Sequence, residues 1–234
     1  MRVLNLLLTL FILSGCDKKP ADAMRHPLQP DTPNVAASSY LALGDSYTIG
    51  QSVPASASFP NQLAMRLNQA GYGVALPEII ARTGWTTAQL IAAINGSGLT
   101  KKYNIVTLLI GVNNQYNGYD IKAYRKDFVK LLNTALSYAD GKASQVFVVS
   151  IPDYSVTPFA SGLDKKRIAD EIDQYNAIAR QESEKAGVSF TDITPISRKN
   201  DPALVADDGL HPSGKMYSEW VELLLPKVSA QLKK

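Results

Sequence analysis

Cysteine and histidine are almost missing from this chain of 234 residues, which contains one cysteine and two histidines. Because Cys16 is the only cysteine, the chain can form no internal disulfide and no zinc site with several cysteines, and its folded part offers no cysteine nucleophile. The two histidines are His26 and His211. A mechanism that needs an imidazole therefore has very few residues to choose from.

A large excess of positive charge is also missing, since the formal net charge is only +3. Lys and Arg total 24 against 21 acidic residues, and the basic residues are scattered among the acidic ones. This argues against a nucleic-acid partner, which would leave a clustered basic face. With 45% hydrophobic and 19% charged residues, the composition is that of a globular protein, and the length fits one folded domain of about 200 residues.

The N-terminal apolar run is too short to span a membrane. It covers residues 3–13, follows Arg2 and ends in LSGC at 13–16, whereas a hydrocarbon core needs about 20 apolar residues. The pattern is typical of a signal peptide at residues 1–15. On the residues alone, Cys16 could also be incidental to an ordinary secretory signal.

The tetrapeptide LSGC resembles the lipobox of bacterial lipoproteins. The resemblance implies that Cys16 is diacylated on its sulfur and anchors the chain to a membrane of the cell envelope, on the extracytoplasmic side. Residues 16–38 contain repeated prolines and no apolar period, which predicts a flexible tether. Asp17 resembles a signal that retains lipoproteins at the inner membrane of many Gram-negative bacteria.

From residue 39 to residue 234, short apolar runs alternate with longer amphipathic ones, which predicts an α/β domain with a parallel sheet. The predicted strands are 39–44, 74–80, 105–111, 145–151 and 188–193. The predicted helices are 59–70, 87–94, 121–139, 165–185 and 213–232, the last kinked at Pro226. Five largely apolar strands indicate a sheet buried on both faces, in a three-layer α/β/α sandwich. Ligands of such sheets bind beyond the carboxyl ends of the strands.

A serine follows the first predicted strand, in the sequence GDSYT at 44–48. Ser46 would lie at the carboxyl edge of the sheet, where a nucleophile can reach a ligand. Asp-Ser after a strand is also a common turn and helix cap, so the pentapeptide alone leaves both interpretations open.

A histidine lies near the C-terminus, in DGLH at 208–211. A serine hydroxyl needs a base to take its proton, and an imidazole held by a carboxylate is suited to that task. His211 could instead be a structural cap of the last helix. However, His26 lies in the tether, so a serine–histidine mechanism in this domain must use His211. Asp208, three residues upstream, is a simpler partner than Asp207.

Two further turns follow predicted strands and can each offer a hydrogen-bond donor. Gly84 follows the second strand and can supply a backbone N–H, and Asn113 follows the third and can supply its side-chain amide. Such donors stabilise the oxyanion that forms during acyl transfer. Taken singly, Gly84 is better explained as a turn glycine, and Asn113 as a loop asparagine bonded to its own backbone.

Together these four segments resemble the SGNH hydrolases, also called the GDSL family, and they occur in that family's order. The resemblance implies a flavodoxin-like sandwich and a serine esterase that needs no cofactor or metal. It implies that the backbone N–H groups of Ser46 and Gly84 and the amide of Asn113 form the oxyanion hole. Two positions depart from the usual pattern: Tyr47 stands in place of the leucine of GDSL, and Asn114 in place of a common aspartate.

The substrate is less well defined by the sequence. Four aromatic residues follow predicted strands and could line the site, or could be ordinary loop packing: Trp85, Tyr116, Tyr154 and Phe159. The family includes carbohydrate acetylesterases, lysophospholipases, thioesterases and arylesterases. Short loops favour a small acyl group on a carbohydrate or lipid. The alternative of another class is a noncatalytic lipoprotein that binds glycan or lipid, and nothing in the sequence indicates an oligomeric state.

Overall fold

The computed structural model describes residues 38–199 and 201–232. The predicted signal peptide, Cys16 and the tether up to residue 37 lie outside these residues. Within the described ranges, no helix is both long enough and apolar enough to cross a membrane.

One sheet of five parallel strands forms the centre of the described chain, in the order β2-β1-β3-β4-β5. The strands are β1 Tyr40–Gly44, β2 Glu78–Ala81, β3 Ile105–Leu109, β4 Val146–Val149 and β5 Ser189–Thr191. Every residue of β1, β3 and β4 is buried, because helices cover both faces of the sheet. The chain reverses direction across the sheet between β1 and β3, and this crevice is where such folds bind ligands.

Eight α-helices of the described residues pack around the sheet. They are α1 Ser46–Ile49, α2 Phe59–Gln69, α3 Thr87–Gly96, α4 Val112–Tyr116, α5 Ile121–Tyr138, α6 Lys165–Lys185, α7 Thr194–Ser197 and α8 Gly214–Ser229. Helices α2 and α8 pack together, whereas α5 packs between α3 and α6. The predicted α/β/α sandwich with flavodoxin-like strand order is therefore confirmed.

The second strand is displaced from its predicted position. It begins at Glu78 rather than at residue 74, because Pro77 has no N–H to donate to a strand ladder. Val74 instead forms an isolated bridge with Ser38. At the other end of the chain, α8 continues through Pro226 to Ser229, so that proline lies in the last turn of the helix.

The turn between β1 and α1 depends on a glycine. A Cβ atom on Gly44 would lie 2.1 Å from Oγ1 of Thr48 and 2.4 Å from the carbonyl oxygen of Leu109. Only a residue without a side chain allows this close approach of β1, β3 and α1. The glycine therefore fixes where Ser46 leaves the edge of the sheet.

We expect Gly44→Ala to lower the free energy of unfolding by about 1–3 kcal/mol, because the added methyl group must displace backbone as well as side-chain atoms. Urea unfolding followed by circular dichroism measures this change. Gly96→Ala is the matched control, since a Cβ there meets no atom within 4 Å. Equal stability of the two variants would contradict the close packing at Gly44.

Candidate active site

Ser46 is the first residue of α1, a helix of four residues that leaves the carboxyl edge of β1. The carboxylate of Asp45 accepts a hydrogen bond of 3.0 Å from the backbone N–H of Tyr47 and so caps this helix. Gly50 ends the helix in the left-handed conformation. The segment GDSYT thus forms both a helix cap and a tight turn that presents Ser46.

Asp45 lies fully buried directly beside Ser46. Its Oδ2 has no hydrogen-bond partner within the described part of the chain. Burial raises the pKa of this carboxyl to about 7, although the hydrogen bond from Tyr47 opposes the shift. Unlike an exposed aspartate, Asp45 therefore titrates near neutral pH.

The segment DGLH folds as its spacing predicts. Nδ1 of His211 lies 2.6 Å from Oδ2 of Asp208. The other carboxylate oxygen accepts bonds of 2.9 Å from the backbone N–H groups of Leu210 and His211. Gly209 adopts a left-handed φ of 72°, which allows the chain to turn back on itself. Asp207 does not share this contact and lines a second cleft instead.

The contact between Asp208 and His211 determines where the imidazole carries its proton and keeps the carboxyl ionised. With a carboxylate facing Nδ1, a neutral imidazole carries its proton on that nitrogen and leaves Nε2 free to accept one. Burial by itself would raise the pKa of Asp208, but hydrogen bonds from Ser52, His211 and Leu210 outweigh it and hold the pKa well below the usual range. Asp208 therefore remains ionised beside the imidazole.

Ser46 and His211 line one open cleft of about 550 Å³, together with Gly84 and Asn113. The four sequence-predicted segments thus meet at the carboxyl edge of the sheet. Among the described residues, the imidazole of His211 bonds to Asp208 and not to the Ser46 hydroxyl. Ser46 and His211 share the wall of the cleft.

Asn113 is hydrogen-bonded to Trp85, the residue that follows Gly84. Gly84 has a left-handed φ of 82°, which favours glycine there. The side-chain nitrogen of Asn113 donates a hydrogen bond of 3.0 Å to the carbonyl oxygen of Trp85. This bond ties α4 to the loop that contains Gly84, and the second N–H of the amide is still available as a donor.

The two departures from the family pattern have separate explanations. Asn114 is buried and clamps the start of α3: its Oδ1 accepts 2.9 Å from the N–H of Thr87, and its Nδ2 donates 2.8 Å to Oγ1 of the same residue. Tyr47 packs its ring 5.5 Å from that of His211 and lines the cleft. Only Tyr47 therefore changes the surface that a substrate meets.

Three of the four sequence-predicted aromatic residues form one wall of the cleft. The ring centroids of Tyr116, Tyr154 and Phe159 lie 6.0 to 6.2 Å apart. Tyr154 is buried, whereas the other two rings are exposed at the mouth of the cleft. Trp85 does not belong to this wall, because it packs against the hydrophobic core.

Sequence reasoning missed Ser52. Its hydroxyl donates a hydrogen bond of 2.5 Å to Oδ2 of Asp208, from a position 156 residues away in the chain. No local pattern marks a loop serine for such a contact. In residues 38–199 and 201–232, the structure contains no group of three or more histidine, cysteine or acidic side chains able to hold a metal ion.

The described residues thus form a parallel α/β sandwich with a serine and a carboxylate-bound histidine in one cleft, an arrangement suited to the hydrolysis of an ester. The chain belongs to the GDSL-like lipase/acylhydrolase family, whose model matches residues 42–218. It is therefore a hydrolase that acts on ester bonds. No curated protein sequence matches this chain.

Several solved structures share the fold at low sequence identity. The structure titled TesA has a TM-score of 0.66 at 16% identity, covering 83% of this chain and 100% of that one. A lipase/acylhydrolase from Enterococcus faecalis has a TM-score of 0.65 at 18% identity, covering 84% and 97%. The acetylxylan esterase Axe2 from Geobacillus stearothermophilus has a TM-score of 0.62 at 20% identity, covering 82% and 94%.

Proposed function

We propose that this chain is a serine esterase that hydrolyses carboxylic esters through an acyl-enzyme. Ser46 is the nucleophile, His211 the general base and Asp208 the group that orients the base. The observation that carries the proposal is the bond of 2.6 Å between Asp208 and Nδ1 of His211, in a cleft that the serine also lines. This arrangement leaves Nε2 as the one imidazole atom able to take the serine proton.

The reaction proceeds in two steps. In the first, the hydroxyl oxygen of Ser46 attacks the ester carbonyl while Nε2 of His211 takes its proton, and the same nitrogen then donates that proton to the departing alcohol. In the second, a water molecule attacks the acyl-enzyme by the reverse route. Asp208 stabilises the imidazolium that exists during both steps, since its lowered pKa keeps it ionised.

We assign the oxyanion hole to the backbone N–H groups of Ser46 and Gly84 and to the side-chain amide of Asn113. Negative charge develops on the carbonyl oxygen as Ser46 attacks, and donors held in place in advance stabilise it. The hydrogen bond between Asn113 and Trp85 supports this assignment, because it fixes the amide beside the Gly84 loop.

We expect Asn113→Ala to lower kcat about 10²- to 10³-fold with a smaller effect on KM, because the amide acts mainly on the transition state. Steady-state kinetics with a nitrophenyl ester measure both constants. Asn133→Ala, at an exposed position of α5, is the matched control. Wild-type kcat in the Asn113 variant would remove this residue from the oxyanion hole.

The substrate we propose carries a small acyl group on a carbohydrate or lipid. The cleft of about 550 Å³ is open to solvent, and Axe2, with a similar fold, is titled an acetylxylan esterase. Lysophospholipase and thioesterase activities are the alternatives within the same fold. A panel of nitrophenyl esters of increasing acyl length, assayed beside acetylated xylo-oligosaccharides, lysophospholipids and acyl thioesters, distinguishes these classes by kcat/KM.

A serine-reactive phosphonate tests the chemistry itself. We expect it to label Ser46, as located by mass spectrometry of peptides, and to block hydrolysis of nitrophenyl acetate in proportion to labelling. Denatured protein is the control for nonspecific labelling. Absence of both labelling and turnover would favour the noncatalytic alternative, a lipoprotein that binds glycan or lipid without cleaving it.

We also propose that the chain is a lipoprotein of the bacterial cell envelope, anchored through Cys16. The LSGC segment and the apolar run before it support this proposal. Labelled palmitate should be incorporated into the full chain and not into a Cys16→Ser variant. Cell fractionation then distinguishes the inner membrane from the outer one, and a wild-type chain without acyl label would contradict the anchor.

A further inference from the structure

The loop that follows α1, residues 50–53, contacts both the loop that contains Gly84 and the DGLH segment. Oε1 of Gln51 accepts a hydrogen bond of 2.7 Å from the hydroxyl of Thr83, the residue before Gly84. The hydroxyl of the next residue, Ser52, donates its bond of 2.5 Å to Oδ2 of Asp208. The adjacent side chains of Gln51 and Ser52 thus link the loop after α1 to the loop that contains Gly84 and to Asp208.

Ser52 occupies a backbone conformation that serine rarely adopts. Its φ is +66°, and Asp140 is the only other non-glycine residue with a positive φ among those that the structure describes. Left-handed backbone is strained for residues with a side chain. Glycine would remove this strain, whereas serine supplies a hydroxyl at this position.

Oδ2 of Asp208 receives two donors, the hydroxyl of Ser52 and Nδ1 of His211. The serine bond prevents the carboxylate from rotating away from the imidazole. It also draws negative charge toward the hydroxyl, and this weakens the stabilisation of a protonated imidazole by the same oxygen. Both effects act on the base through the carboxylate, without contact between Ser52 and substrate.

We propose that Ser52 is a positioning residue of the esterase, whose hydroxyl holds Asp208 in place and sets the basicity of His211. The inference rests on the proposed function only in that His211 is the base. The contacts themselves come from the loop geometry, which brings residues 50–53 against the DGLH segment.

Other titratable groups lie near the imidazole of His211. Their titration must be distinguished from that of the imidazole. They lie on the turn after β1, the loop after β4, the DGLH segment and α8, and they are Asp45, Tyr47, Asp153, Tyr154, Asp208 and Tyr217. Because burial raises the pKa of Asp45 to about 7, this carboxyl titrates in the range of a histidine. The imidazole must therefore be observed directly, by NMR, as well as through the pH dependence of kcat/KM.

The test compares Ser52→Ala and Ser52→Gly in a full chain that also carries His26→Gln, which leaves one histidine to observe. Both variants lose the hydroxyl, but only glycine relieves the strained backbone. We expect both to raise the pKa of the His211 imidazole by about half a unit, because Oδ2 keeps more charge facing Nδ1. We also expect kcat to fall about tenfold, with KM changing less than about twofold.

Gln51→Met is the matched control in the same loop, since it removes the bond to Thr83 and leaves the bond to Asp208. Its imidazole pKa should equal that of the parent. An unchanged imidazole pKa in both Ser52 variants would overturn the proposal, whatever happens to kcat. Wild-type kcat and imidazole pKa in Ser52→Gly alone would also overturn it, because the backbone and not the hydroxyl would then matter.

Failure of this inference can be told apart from failure of the proposed function. The NMR titration needs no turnover, so it reports on Ser52 even in an inactive protein. Full activity in Ser46→Ala would overturn the esterase mechanism while leaving an imidazole shift in the Ser52 variants intact. An inactive Ser46→Ala together with an unshifted imidazole would overturn the role of Ser52 alone.

Discussion

Replacing Ser46 with alanine should lower kcat for nitrophenyl esters by about 10⁴- to 10⁶-fold, to the residual rate that substrate binding and the oxyanion hole provide. The acyl-enzyme route requires the hydroxyl oxygen of Ser46, which lines the same cleft as His211. The expected loss is therefore larger than for any single oxyanion donor. Burst and steady-state kinetics measure it.

The same substitution should leave thermal stability almost unchanged. The Ser46 side chain lies at the cleft wall, so its removal creates no cavity in the core. Melting curves test this, with Ser144→Ala, an exposed residue of the turn before β4, as the matched control. A Ser46 variant that kept full esterase activity would show that the acyl group is not carried by this serine.

Asp208→Asn should lower kcat about 10⁴-fold at neutral pH. The amide is nearly the same size but carries no charge, so it neither stabilises the imidazolium nor holds the proton of the neutral imidazole on Nδ1. Asp207→Asn is the control, because that side chain lines the second cleft. If Asp207→Asn were inactive and Asp208→Asn active, the base would have the neighbouring aspartate as its partner.

The Asp208 variant should also show a pH-dependent loss of stability. Hydrogen bonds lower the pKa of Asp208 in the folded chain relative to the unfolded one. The carboxylate therefore contributes stability above the ordinary aspartate pKa of about 4, and this contribution is lost as the pH falls toward the lower folded value. Urea unfolding of the two proteins should differ at pH 7, and the difference should shrink below about pH 4.

The strand assignments depended on local sequence and were mostly correct. Runs such as residues 105–109 and 146–149 are largely apolar and buried throughout, which is typical of strands inside a covered sheet. The second strand was placed too early because Pro77 interrupts the apolar run at 74–80. Helices α1, α4 and α7 were not predicted, because each has only four or five residues and is too short to show an apolar period.

In the site, too, contacts between residues close in sequence could be predicted, whereas contacts between distant residues could not. The contact between Asp208 and His211 spans three residues with a glycine between them, so its geometry is almost a property of the segment itself. The contact from Ser52 joins positions 156 residues apart. Likewise, Trp85 packs against the core, and the residues it contacts there cannot be predicted from the sequence of its own loop.

The sequence by itself determined the α/β class, the chain positions of the four segments and the pairing of Asp208 with His211, because apolar period and short-range reach are encoded within a few residues. Only the tertiary structure decided that Asn113 is tied to the Gly84 loop, that three aromatic rings form the wall of the cleft and that Ser52 bonds to Asp208. These contacts arise where the segments that follow all five strands meet at one edge of the sheet, and that meeting is set by the order of strands across the whole sheet.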